Sequence, residues 1–153
     1  MASKGQMTGM LGVYLTAVEL VKLGFIVSPT SRSAMGADLL VTDQRCKKAW
    51  SVQVKTNAGT PSFWLVGEHT GEINSRSHVY VFVNVPKNTE QKPKFYVVPS
   101  RVVATTFIIG PKLKSGHRFH AFQRERKYEN KWNTFGDPRG PSPTKPAKKK
   151  RSL

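Results

Sequence analysis

Apolar side chains near the start of the chain recur every three or four residues, and later ones run in short extended blocks. Leu11, Tyr14, Leu15, Val18 and Val21 have helical spacing, which predicts a helix over 8–23. Thr8 is placed to cap its N-terminus and Gly24 to end it. Extended blocks follow at 25–27 (stopped by Pro29), 37–42, 49–56 and 63–66. A polar loop with Gly67, Gly71 and Asn74 leads to 78–85, which is apolar at nearly every position and predicts a central strand buried on both faces. Residues 95–98 predict another strand. A helix is expected from Pro99-Ser100 to about Phe107, a basic loop over 110–116 and a short strand over 118–122. Tyr128 and Trp132 lie four apart, which predicts a last amphipathic helix within 125–135. The order of elements predicts an α/β or α+β domain, a sheet with helices packed on it.

Length adds one domain with a sizeable core, over 1–136. From Gly136 onward Gly, Pro, Ser and Lys dominate, so 137–153 is expected to be a disordered basic tail. No apolar run spans a bilayer, and Met1–Met7 has no hydrophobic signal core. Cys46 is the single cysteine and the four histidines lack zinc-ligand spacing, so a cytoplasmic protein is expected. Charge is the strongest bulk signal. Lys and Arg outnumber Asp and Glu 25 to 9, a net charge of +16, which favours a polyanionic partner such as nucleic acid.

The candidate chemistry lies in Gly36-Ala37-Asp38 and Val52-Gln53-Val54-Lys55-Thr56. Residues two apart on a strand share a face, so Gln53 and Lys55 emerge together while Val52 and Val54 point away. A hairpin over the intervening turn brings Asp38 level with that pair. Carboxylate, amide oxygen and ammonium at one sheet edge suit a hard metal and a phosphodiester. Each residue also has an ordinary structural reading: Asp38 as a strand-leading turn residue, Lys55 as an edge lysine that discourages aggregation.

The helix ending ELVKLGF, the strand led by Asp38, the Gln53-Val54-Lys55 strand, the YVFVN of 80–84, the FYVVPS of 95–100 and Trp132 together resemble the PD-(D/E)XK nuclease superfamily, in particular its small bacterial endonuclease-like proteins. The resemblance runs over roughly residues 8–135. It implies a restriction-endonuclease-like core, a mixed β-sheet flanked by α-helices, and a Mg²⁺- or Mn²⁺-dependent endonuclease, with DNA favoured. By that resemblance Asp38, Gln53 and Lys55 are the catalytic set. Asp38, Gln53 and the Val54 carbonyl hold the metal, and Lys55 orients the water or neutralises charge. Two departures stand out. Gln53 occupies a position where most members have Asp or Glu, and Val13 one where related proteins often have a helix Glu. Glu19 is the only acid on the helix and the possible substitute.

Thr30, Arg32 and Ser33 precede Asp38, and Asn57 follows Lys55, so these are expected to border a nucleic-acid groove. Lys112, Lys114 and Arg118 form a further basic cluster. Two cuts on a duplex need two sites, which favours a homodimer. The alternatives are a catalytically inactive nucleic-acid-binding module on the same fold and a small basic RNA-binding protein of other ancestry.

Overall fold

A computed structural model of the chain describes residues 1–31 and 36–143. Helix α1 (Lys4–Lys22) is followed by strands β1 (Ile26–Pro29), β2 (Leu39–Thr42), β3 (Ala49–Ala58) and β4 (Phe63–Leu65). A 3-10 turn at Glu68–Glu72 leads to β5 (His78–Val85), β6 (Lys94–Pro99), helix α2 (Ser100–Thr106), β7 (Ile108–Lys112) and β8 (Arg118–Gln123). One sheet has the order β1-β2-β3-β5-β6, with β3 and β5 parallel and its other pairs antiparallel. A second, antiparallel sheet has the order β4-β8-β7.

Alternation along β3 and β5 divides the core into two. Val52, Val54, Val79, Val81 and Val83 point toward α1, where Leu20 and the rings of Phe25, Trp50 and Phe135 complete one cluster. Tyr80 and Phe82 point the other way, into a cluster with Trp64, Tyr96 and Phe122. Phe82 stacks on Phe122 at 4.6 Å, and the Trp64 indole N–H donates to the Val83 carbonyl at 3.0 Å. The 78–85 strand is thus buried on both faces, as its unbroken apolar run predicts. Among the described residues no helix is long and apolar enough to cross a membrane.

The structure differs from the sequence reading in four places. Helix α1 begins earlier: Ser3, not Thr8, caps it, in a reciprocal capping box with Gln6. Its buried face is Gly12, Thr16 and Leu20, whereas Leu11, Tyr14, Val18 and Val21, whose spacing predicts the helix, are exposed. The expected basic loop is partly strand, because Ile108–Lys112 pairs with β8. Residues 125–135 form two short 3-10 turns rather than an amphipathic helix. The physical reason is that Tyr128 belongs to one core cluster while Trp132 and Phe135 pack on the other. The segment therefore crosses the edge of β6, with Asn130 (φ 51°) turning the chain and donating its N–H to the Phe95 carbonyl at 2.9 Å. The beginning of the expected tail is tied down as well. Gln44 N–H donates to the Pro138 carbonyl at 2.8 Å, and the Arg45 guanidinium to that of Pro141 at 2.7 Å. Residues 144–153 lie outside the described residues.

Candidate functional site

The site arises because β2 is short and β3 is long. The two strands are paired from Thr42↔Ala49 to Leu39↔Val52, and the Asp38 N–H still donates to the Val52 carbonyl at 2.8 Å. Continuing that register sets Asp38 opposite Gln53. There the chain turns away, and the Asp38 carbonyl accepts from the Thr30 N–H at 3.0 Å. The next ladder position on β3 is filled by a side chain: Asp38 Oδ2 accepts from the Val54 N–H at 2.7 Å. A carboxylate in place of a backbone carbonyl satisfies a donor that the departing strand leaves behind. Beyond this point β3 has a strand neighbour, β5, on one side, and α1 covers its apolar face.

That covering is unusually close. A Cβ on Gly12 would lie 2.8 Å from both Cβ and Cγ2 of Thr56, so the helix rests there on bare backbone. The Thr56 hydroxyl is buried without a hydrogen-bond partner among the described residues. The close fit brings the N-terminal half of α1 to the splay between β2 and β3. Gln6, Gly9, Met10, Val13 and Tyr14 form one wall of a hollow of about 330 Å³, and Pro29, Thr30, Ser31, Asp38 and Val54 form the other.

Gln53 and Lys55 share the opposite face of β3, in register with Tyr80 and Phe82 of β5. Gln53 lines a second hollow with Tyr80, Thr70 and Glu72. Lys55 is half-buried, and among the described residues it has no carboxylate within ion-pair distance. Burial pushes its ammonium below the ordinary lysine value, opposed by the nearby charge of Asp38. On the same face, the buried His78 shares a 2.7 Å hydrogen bond between Nδ1 and the Ser51 hydroxyl, and its ring sits edge-on to Tyr80. Desolvation holds His78 below its usual value against the pull of Asp38. Asp38 thus acts electrostatically on both side chains across the sheet edge. In the sequence, His78 and Ser51 are marked just by their shared face and register on neighbouring strands.

The remaining expected residues are distributed unevenly. Thr30 is at the site, its hydroxyl bonded to the Ala37 carbonyl. Arg32 and Ser33 lie outside the described residues. The Asn57 amide donates to the Phe63 carbonyl at 2.7 Å, which fixes the link from β3 to β4. Glu19 is not a helix acid facing Asp38. It pairs with Lys22 at 3.0 Å and lines a different hollow with Lys94 and Phe95. Nearly two turns of helix separate it from Val13, which does face Asp38, so the polar side chains of the α1 wall are Gln6 and Tyr14. Lys112, Lys114 and Arg118 are exposed on the β7–β8 hairpin of the second sheet, away from the residues lining the Asp38 hollow. Among the described residues no three His, Cys, Asp or Glu side chains are grouped to hold a metal ion.

No family model matches the chain, and no curated protein matches its sequence. Among solved structures, the fold is similar to that of I-Ssp6803I, a bacterial homing endonuclease, with 17% identity and a TM-score of 0.50 over 87% of this chain and 91% of that one. Hjc, a Holliday junction resolvase from the archaeal hyperthermophile Archaeoglobus fulgidus, aligns with 11% identity and a TM-score of 0.45 over 76% of this chain and 84% of that one. The chain has a restriction-endonuclease-like fold: a five-stranded mixed sheet flanked by helices.

Proposed function

We propose that this protein is a metal-dependent endonuclease that hydrolyses nucleic-acid phosphodiester bonds, with DNA as the favoured substrate. The observation that carries the reading is the strand splay that presents the Asp38 carboxylate beside Val54, with Lys55 one step further along β3 and electrostatically coupled to it. The oxygen donors at this strand edge are of the type a hard divalent cation takes. Asp38 Oδ2 is taken by the Val54 N–H, which leaves Oδ1 for a cation, and the Gln53 amide oxygen would come from the hollow on the Tyr80 side of β3. With the Val54 carbonyl they supply oxygen ligands of the kind Mg²⁺ takes alongside water and substrate phosphate. The metal, when bound, polarises the phosphoryl group and lowers the pKa of a bound water.

The chain's own residues have separable roles. Asp38 is held rigidly by the Val54 N–H and by the Thr30 N–H on its carbonyl. Lys55, with its proton loosened by burial, places a positive charge where a phosphate gains negative charge, or orients the attacking water. The basic surface holds the polyanion. Among the described residues just three Lys or Arg side chains, Lys22, Lys127 and Arg139, pair with an acid, so most cations are free for phosphate.

Asp38→Ala and Lys55→Ala are each expected to reduce cleavage about a hundred-fold or more while nucleic-acid binding persists. Equal loss of binding and cleavage in both variants would contradict the assigned roles. One observation favours a second reading, a catalytically inactive binding module: among the described residues Asp38 is the one carboxylate lining its hollow. Gln53→Glu separates the two. Increased Mg²⁺-dependent cleavage supports the nuclease scaffold, and binding without turnover in both forms supports the inactive module.

A further inference from the structure

The outer face of α1 is apolar from end to end. Met7, Leu11, Tyr14, Val18 and Val21 are 55%, 44%, 55%, 53% and 57% exposed, although five such side chains in a row on one surface helix are normally covered. Their spacing is four, three, four, three, which is the a/d repeat of a helix that packs against another helix. The opposite face, Gly12, Thr16 and Leu20, already contacts the sheet, so α1 is apolar on both sides.

We infer that this stripe is the interface between two copies of the chain, paired about a two-fold axis through α1. The stripe is self-complementary, as such a pairing requires. Its size is sufficient: with roughly 100 Å² exposed on each side chain, a symmetric pair buries on the order of 1,000 Å² in all, the threshold for a specific interface. Charge singles out the same face. The chain carries +16, so two copies repel over most of their surface, yet α1 holds just Lys4, Glu19 and Lys22, and the last two neutralise each other. The chain's own undescribed C-terminal residues, 144–153, read TKPAKKKRSL and do not match an apolar stripe. Continuity with the site gives the pairing a consequence, which rests on the proposed function. Tyr14 belongs both to the stripe and to the wall of the Asp38 hollow, so pairing α1 sets two such hollows beside one interface, one for each strand of a duplex.

Sedimentation equilibrium of the full chain at micromolar concentration tests this without nucleic acid or metal, so its outcome is separate from that of the nuclease reading. The wild type is expected at twice its 17.1 kDa chain mass. Leu11→Glu/Val18→Glu is expected at the single-chain mass with an unchanged circular-dichroism spectrum. Glu lowers the net charge, so dissociation cannot come from added general repulsion. The conservative Leu11→Met/Val18→Ile variant is expected to keep the doubled mass, which guards against a misfolded charged variant. A monomeric wild type overturns the inference and leaves the stripe to a different partner. A charged variant that stays paired overturns it too.

Discussion

Gly12→Ala is the sharpest test of how α1 is seated. In an isolated helix the change is favourable, by about 1 kcal/mol, because alanine loses less backbone entropy. Here the new methyl would lie 2.8 Å from Thr56 Cβ and Cγ2, nearer than unbonded carbon atoms come, with the Thr56 hydroxyl also in its path. Thr56 Cβ cannot rotate away, so helix and strand must part by several tenths of an ångström along a contact that also positions Gly9, Met10 and Val13 against Asp38. A clash with a strand-anchored Cβ belongs in the upper part of the overpacking range, about 2–3 kcal/mol, and after the propensity gain of about 1 kcal/mol the net loss is about 1–2 kcal/mol. For a domain of this size that lowers Tm by roughly 2–8 °C. Urea unfolding followed by circular dichroism measures it. Thr56→Ala removes the hydroxyl and Cγ2 and leaves Cβ, so adding it to Gly12→Ala recovers part of the loss. A double-mutant cycle with coupling of about 1 kcal/mol is the expected signature for residues in contact. A Gly12→Ala protein as stable as the wild type, or more so, refutes the close seating, because the helix-propensity gain would then stand unopposed.

Three further outcomes follow from the same structure. Asp43 is buried in the β2–β3 turn, where burial pushes its carboxyl up but the N–H groups of Arg45, Lys47 and Lys48, at 2.9, 3.2 and 2.7 Å, hold it below its usual 3.8. Its stabilisation is therefore complete above about pH 3.8 and lost as pH falls through the lowered folded value, and Asp43→Ala is expected to lower Tm at neutral pH and flatten that acid limb in thermal melts. His78 is kept neutral by burial, so the unfolded chain binds a proton that the folded one resists. Stability is expected to fall as pH drops from 6.5 toward the lowered folded value, and the slope should vanish in His78→Phe. Replacing Lys112, Lys114 and Arg118 with Gln is expected to weaken nucleic-acid binding and reduce the slope of log affinity against log salt by up to about 3, read from fluorescence anisotropy across a salt series; an unchanged slope excludes the β7–β8 hairpin from phosphate contact.

The elements that position the site are legible in the sequence where the chemistry is local. The alternation of Val52, Gln53, Val54 and Lys55 specifies which side chains share a face; the hairpin reading sets Asp38 level with the pair Gln53 and Lys55, and the register of β2 and β3, continued by one residue, narrows this to Gln53. The apolar run at 78–85 marks a strand buried on both faces for the same reason. What escapes the sequence depends on tertiary partners. The Asp38 carboxylate takes the place of a missing ladder acceptor, and that follows from where β2 stops, a boundary that the run from Ala37 to Thr42 does not reveal. The apolar periodicity of α1 marks its outer face, while Gly9, Gly12 and Thr16, a stripe of small residues, mark the inner one. Glu19, the helix acid that composition offers, faces away from the site. The segment 125–135 has a helix-like spacing of aromatics, but its rings serve opposite sides of the sheet, and no single helix reaches both.

Cleavage by the purified wild-type chain is the most direct test of the central claim. Supercoiled plasmid, linear duplex and branched DNA would be incubated with it over a range of Mg²⁺ and Mn²⁺ concentrations, with Asp38→Ala prepared in parallel. The expected result is nicked or cut product that requires the divalent ion, rises with its concentration without early saturation because Asp38 brings a single carboxylate, and disappears in the Asp38→Ala protein. Binding of the same DNA with no cleavage at any concentration of either ion, on RNA as well as DNA, contradicts it.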